Sequence, residues 1–146
     1  MRAVRLAAAV LLSLVTLMFT ACSLVDWADG GRNDALDMAW TLQAIDLGAG
    51  LSPTHPDYTP TMRLDAGTVT GNGGVNAFSG DYTWNRDGSF SFSDLTWTEM
   101  AGDPAAMAQE QAFFDALQAV QRFSIGDTRL RLSDAEGRVL LVFGPA

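Results

Sequence analysis

Nucleophilic catalysis by a triad needs a base within reach of its nucleophile, and this chain offers one histidine and one cysteine. His55 lies in a loop with Pro53, Pro56 and Pro60 around it, and Cys22 closes an N-terminal apolar run. A triad is therefore nearly excluded. Metal binding needs several convergent ligands, so a lone histidine among prolines reads as an incidental loop residue, and neither metal nor cofactor is expected. Two-carboxylate chemistry asks for less, since glycoside hydrolysis needs only two acids at a fixed separation. Asp94 with Glu99 is the candidate pair for a carboxylate-dependent hydrolase, against the simpler reading of exposed turn and strand-edge charges. The run Gly71-Asn72-Gly73-Gly74 could cradle phosphate on its backbone N–H groups. It lacks the G-x-G-x-x-G spacing and the placed Lys and Ser/Thr of a P-loop, and reads better as a tight excursion through positive φ. Asn76, set between Val75 and Phe78, is a candidate for burial. A buried amide must be hydrogen-bonded, either to close this loop onto its own backbone or, alternatively, to face a ligand.

The elements that would position these residues begin after a leader. Arg2 and Arg5 precede an apolar run from Leu6 to Phe19, too short for the ~20 residues of a membrane-spanning helix, so residues 1–21 read as a secretory signal peptide. Phe19-Thr20-Ala21-Cys22 resembles a bacterial lipobox, with Phe19 where leucine is usual, which makes Cys22 the expected lipidation site. A lone cysteine at this position has a use that a lone thiol in an oxidising compartment lacks. Acyl chains there imply a lipid anchor in the membrane, and Ser23 after the cysteine resembles the outer-membrane sorting pattern, with the domain facing the periplasm. Residues 22–37 hold Asp26, Asp29, Asp34, Asp37 and a Gly30-Gly31 pair and read as a tether. Trp27 within it fits either the membrane interface or a loose contact with the domain. Of the nine arginines two precede Cys22, so the remainder sets seven basic against 17 acidic residues, a net charge of about −10. Such a surface repels phosphate backbones and argues against nucleic acid as a partner.

With 146 residues in all, there is room for one domain, placed at residues 38–146. Met38, Trp40, Leu42 and Ala44 alternate with polar residues, the period of a half-buried strand. Gly48 to Pro60 carries too many breakers for an interior strand and is expected to be a loop. Further strands are expected at Thr61–Asp65 and around Val69, then at Asp81–Asn85, Ser89–Ser93 and Leu95–Met100. Asp103-Pro104 signals a helix start, and the helix should run to about Arg122, burying Phe113, Leu117 and Val120 with Phe114 and Met107 beside them. Phe123 to Phe143 reads as a meander of three short strands. The fold class is α+β: a curled antiparallel sheet of about eight short strands packed with one α-helix.

The stretch from Gly71 to Glu110 resembles the core of the META domain of HslJ-like heat-shock lipoproteins. The matching residues are Gly71, Gly74, Asn76, Phe78, Gly80 and Tyr82, then Thr98, Met100, Ala101, Gln109 and Glu110. The resemblance implies the same curled sheet with its helix, and a link to envelope stress and to secretion pilotin lipoproteins. Two cysteines of the family pattern fall on Val75 and Gly102; the resemblance implies that they are disulfide partners, here lost together. The functional expectation is a non-enzymatic envelope lipoprotein that binds an apolar ligand or an envelope protein or peptide, in a cleft lined by Trp84, Phe90, Phe92 or Trp97. The alternatives are a structural, pilotin-like assembly module acting through its sheet edges and, remotely, the Asp94/Glu99 hydrolase.

Overall fold

A computed structural model describes residues 33–146. The expectations for the leader, Cys22 and Trp27 lie outside the described residues. Nine strands follow in chain order: β1 (Ala39–Asp46), β2 (Leu51–Pro53), β3 (Thr61–Asp65), β4 (Thr68–Asn72), β5 (Ala77–Trp84), β6 (Phe90–Trp97), β7 (Arg122–Gly126), β8 (Arg129–Ser133) and β9 (Val139–Pro145). One helix, α1 (Pro104–Ala119), stands between β6 and β7. All pairings are antiparallel, in the order β6-β5-β4-β3-β1-β9-β8-β7, with β2 folded back on the end of β1.

Period-two patterning explains why this sheet curls around a core. Trp40, Leu42, Met62, Leu64, Val69, Phe78, Tyr82, Leu130 and Leu132 are buried on one face, while the residues between them are mostly exposed. The first and last strands in the order approach at one end only. Ser89 bridges to Arg122, the Phe90 N–H donates to Gln121 O at 3.0 Å, and the Phe123 N–H donates to Gly88 O at 2.9 Å. The result is an eight-stranded half-barrel with α1 packed into it. Asp103 caps the helix through the Ala105 N–H at 2.8 Å, and Pro104 takes its first position. Phe113 and Phe114 then meet Phe78 edge-on at 5.6 and 5.7 Å between ring centres, and Phe113 reaches Phe143 at 6.4 Å.

Four local expectations change. The two strands expected at Ser89–Ser93 and Leu95–Met100 are one strand, β6, which continues through a bulge opposite Ser79–Asp81 with Asp94 at φ 51°. The extra residue resets the alternation, which is why Phe92 and Leu95, three apart, both turn inward. The helix stops at Ala119 rather than Arg122, because Val120 is already extended and enters the core on the connection to β7. The Gly48–Pro60 loop holds β2 and a single 3₁₀ turn at Pro56–Tyr58, tolerated because β2 lies beside the main path of the sheet. Finally, residues 33–37, read as tether, pack on the domain: Leu36 is fully buried, and its carbonyl accepts the Trp40 indole N–H at 3.0 Å.

Candidate functional site

The residues just after the glycine-rich run bind a carboxyl group of the protein's own. Glu110, 2 % exposed, points from the buried face of α1 into the β4–β5 loop. Its Oε2 accepts the backbone N–H groups of Val75 at 2.8 Å and Asn76 at 2.6 Å, and its Oε1 accepts the Asn76 Nδ2 at 2.6 Å. Within the run the Gly73 N–H donates to Asn76 O and the Gly74 N–H to Asn72 Oδ1, each at 2.8 Å, so the N–H groups that a phosphate would need are occupied from inside the protein. Asn76, also 2 % exposed, spends the rest of its amide on the segment after β6. Its Oδ1 accepts the Thr98 hydroxyl at 2.8 Å and the Met100 N–H at 2.7 Å, while Nδ2 also donates to Met100 O at 3.1 Å. The amide therefore does more than close its own loop: it ties loop, strand end and helix into one polar lock. No buried side-chain polar atom among the described residues lacks a partner.

The remaining motif residues serve the same geometry. A Cβ on Gly73 would come within 2.8 Å of the Phe114 ring and 2.9 Å of Glu110, so close approach of the helix, rather than turn conformation, demands glycine there. Only Gly74 of the run has positive φ, 121°. Gly71 lies within β4 under the Phe78 ring, and Gly80 faces the β6 bulge, where a Cβ would meet Ser93 O at 2.8 Å. Tyr82 donates its hydroxyl to Asp37, and burial, reinforced by that hydrogen bond, raises its phenol well above the usual range. Ala101 is exposed. Gln109 clamps the 3₁₀ turn, donating to Tyr58 O at 2.9 Å and accepting the His55 N–H at 2.9 Å. His55 itself stacks on Tyr58 at 4.7 Å. Among the described residues no group of three His, Cys, Asp or Glu side chains is placed to hold a metal. A Cβ at Gly102 would lie 3.5 Å from Val75 Cβ, so the two positions of the family's missing cysteines are neighbours. The valine methyls fill the space a second cysteine would take.

The four aromatics expected to share a cleft divide. Phe90 is 2 % exposed and belongs to the core, stacked on Tyr82 at 5.4 Å. Trp84 is half-buried, edge-on to Phe123 at 6.2 Å. Phe92 and Trp97 share a shallow groove of about 410 Å³ between β6 and α1, whose walls also include Leu95 and Gln118. A second depression of about 420 Å³ continues it past Gln118 to Phe90 and Gln121. Trp97 lies flat on Phe114 at 4.5 Å yet stays 38 % exposed, and Met100, three residues on, is 56 % exposed. Asp94 and Glu99 are both exposed, so neither sits in the desolvated setting that prepares a carboxyl as a general acid. The sequence reading missed Glu110 as a functional partner of the loop. Its signal was positional, since it lies between Ala106 and Phe113-Phe114 on the stripe that must be buried.

A half-barrel filled by one helix and locked by an internal carboxylate defines a small α+β module. The model of the META domain matches residues 34–146, and the chain belongs to that family. A protein from Burkholderia xenovorans, solved by NMR, is similar at 23 % identity and a TM-score of 0.63, over 75 % of this chain and 82 % of that one. A duf4847 family protein from Bacteroides vulgatus, known from a crystal structure, is similar at 13 % identity and a TM-score of 0.51, over 75 % of this chain and 92 % of that one. These likenesses bear on the fold. No curated protein matches the chain.

Proposed function

We propose that this META-domain protein is a non-enzymatic, lipid-anchored protein of the cell envelope, held at the outer membrane through Cys22 and facing the periplasm, whose domain binds an apolar or peptide partner in envelope maintenance or stress response. The observation that carries the binding role is the outer edge of β6, where Phe92, Leu95 and Trp97 form a partly exposed apolar strip along the groove. The polar motif residues supply no chemistry to a ligand, since Asn76, Glu110 and Gln109 are engaged inside the fold. Native mass spectrometry of the protein, released from membranes under gentle conditions, tests the role. A reproducible added mass of lipid or peptide supports it, and loss of that mass in Trp97→Ser places the ligand at the strip. The same open edge favours a second reading, an assembly module with no small ligand; a bare monomer that crosslinks to another envelope protein in cells would favour that reading. Anchoring is tested separately with a labelled fatty acid. Label on the wild type and none on Cys22→Ala is expected, and label persisting in the variant would overturn the anchor.

A further inference from the structure

Resting on the binding reading above, we propose that the partner is an extended, basic peptide segment that adds a strand to the outer edge of β6. The backbone is prepared for it. The Phe90 N–H points away from β5, to Gln121 O, and strand alternation points the Phe92 N–H to the same open edge. Beyond the bulge the Thr98 N–H points to β5, at Ala77 O and 3.0 Å, so the backbone N–H groups of Trp97 and Leu95 point to the open edge although their side chains face the groove. Among the described residues no strand pairs with these three, because β6 ends the sheet and its bridge to β7 stops at Ser89 and Phe90. Strand addition supplies main-chain hydrogen bonds to such an edge, while neighbouring pockets read alternate side chains. The side chains of Phe92, Leu95 and Trp97 already line a groove there.

Charge names the occupant. Between Arg86 and Arg122 there is no basic residue, and the acidic ones are Asp87, Asp94, Glu99, Asp103, Glu110 and Asp115. Of these, Asp94 lines the groove itself, while Arg122 lies at the far end of the edge, bridged to Ser89, so the middle of the edge carries negative charge alone. Asp94 stands on the bulge in the middle of the edge, exposed, with Glu99 just past its end. An acidic bulge repels a second copy of the same edge, which is how sheet edges avoid self-pairing. It attracts a strand carrying arginine or lysine.

The test titrates the full-length chain in neutral detergent with an acetylated Arg-Val-Arg-Val-Arg-Val amide. Its controls are the Glu-Val counterpart and the arginine peptide with alternate backbone nitrogens methylated. The arginine peptide is expected to bind at least about tenfold tighter than either control, to weaken with salt, and to slow hydrogen exchange at the amides of Phe92, Leu95 and Trp97. Asp94→Asn with Glu99→Gln, two surface changes, is expected to lower the affinity without lowering the melting midpoint. Equal binding of the glutamate peptide overturns the charge assignment, and equal binding of the methylated peptide overturns strand pairing. Dimers of the free chain protected at the same amides would overturn it in favour of self-pairing. If no peptide binds but native mass spectrometry retains a lipid, this inference fails and the binding reading stands; if neither is seen, both fail.

Discussion

Glu110 shows how one side chain can organise a loop that has no regular structure of its own. Two backbone N–H groups and one amide N–H converge on its carboxylate at 2.6–2.8 Å, and charge-assisted bonds of this kind are the strong ones. Glu110→Gln offers one oxygen where two accepted, and turns an NH₂ toward a donor. That variant is expected to lose about 1–3 kcal/mol of stability, read as a lower urea midpoint at unchanged slope; an unchanged midpoint would show that the lock is not a source of stability. Tyr82 supports a second prediction, on pH. Its folded pKa is raised above the ordinary value by burial and then by the Asp37 hydrogen bond, so its contribution is complete below about pH 10 and is lost as pH climbs through the folded value. The chain has no lysine and only two tyrosines, so few other groups titrate there. Stability should fall above about pH 10 in the wild type, and Tyr82→Phe should flatten that fall; an equal alkaline slope in both would refute the assignment. The burial of Asn76 could be read from its apolar neighbours, but its partners could not, because Thr98, Met100 and Glu110 lie 22 to 34 residues away.

At the scale of elements, Val75 and Gly102 join the β4–β5 loop to the segment that leads into α1. A Cβ placed on Gly102 would lie 3.5 Å from Val75 Cβ, the spacing a disulfide requires. Val75→Cys with Gly102→Cys is expected to crosslink on oxidation and to raise the melting midpoint, by an amount equivalent to about 2–4 kcal/mol. A double variant that stays reduced, or loses its fold, would contradict the geometry. Phe113 carries the helix side of the core and is fully buried among Phe78, Phe114 and Phe143. Phe113→Asp would bury a charge without a partner and is expected to abolish cooperative unfolding altogether; a soluble variant with an unchanged midpoint would contradict the packing. Strands whose alternation is unbroken were legible from sequence within a residue or two, as β3 and β8 show. What escaped was parity: the bulge at Asp94 shifts the inward positions by one, so a strict period of two splits β6 in half. The helix end escaped for a related reason, since Val120 continues the apolar stripe after the backbone has left the helix.

For the whole molecule, closure at one end and an open edge at the other leave Asp94 exposed on the unpaired stretch of β6, beside the groove. The charge is uncompensated on a large scale, with 17 acidic against nine basic residues, and the ion pairs of Arg138 with Asp46 and Asp134 lie away from β6. Such a field opposes compaction by self-repulsion and also draws cationic partners. Both effects are screened by salt, with a Debye length of about 10 Å at 0.1 M and about 3 Å at 1 M. Raising sodium chloride from 20 to about 500 mM should therefore raise the melting midpoint of the protein while weakening its hold on a basic peptide. The opposite signs matter, because a general salting-out effect on apolar surface would strengthen both. A midpoint that falls with salt would mean that the Arg138 pairs, rather than the acidic excess, dominate the electrostatics of the fold.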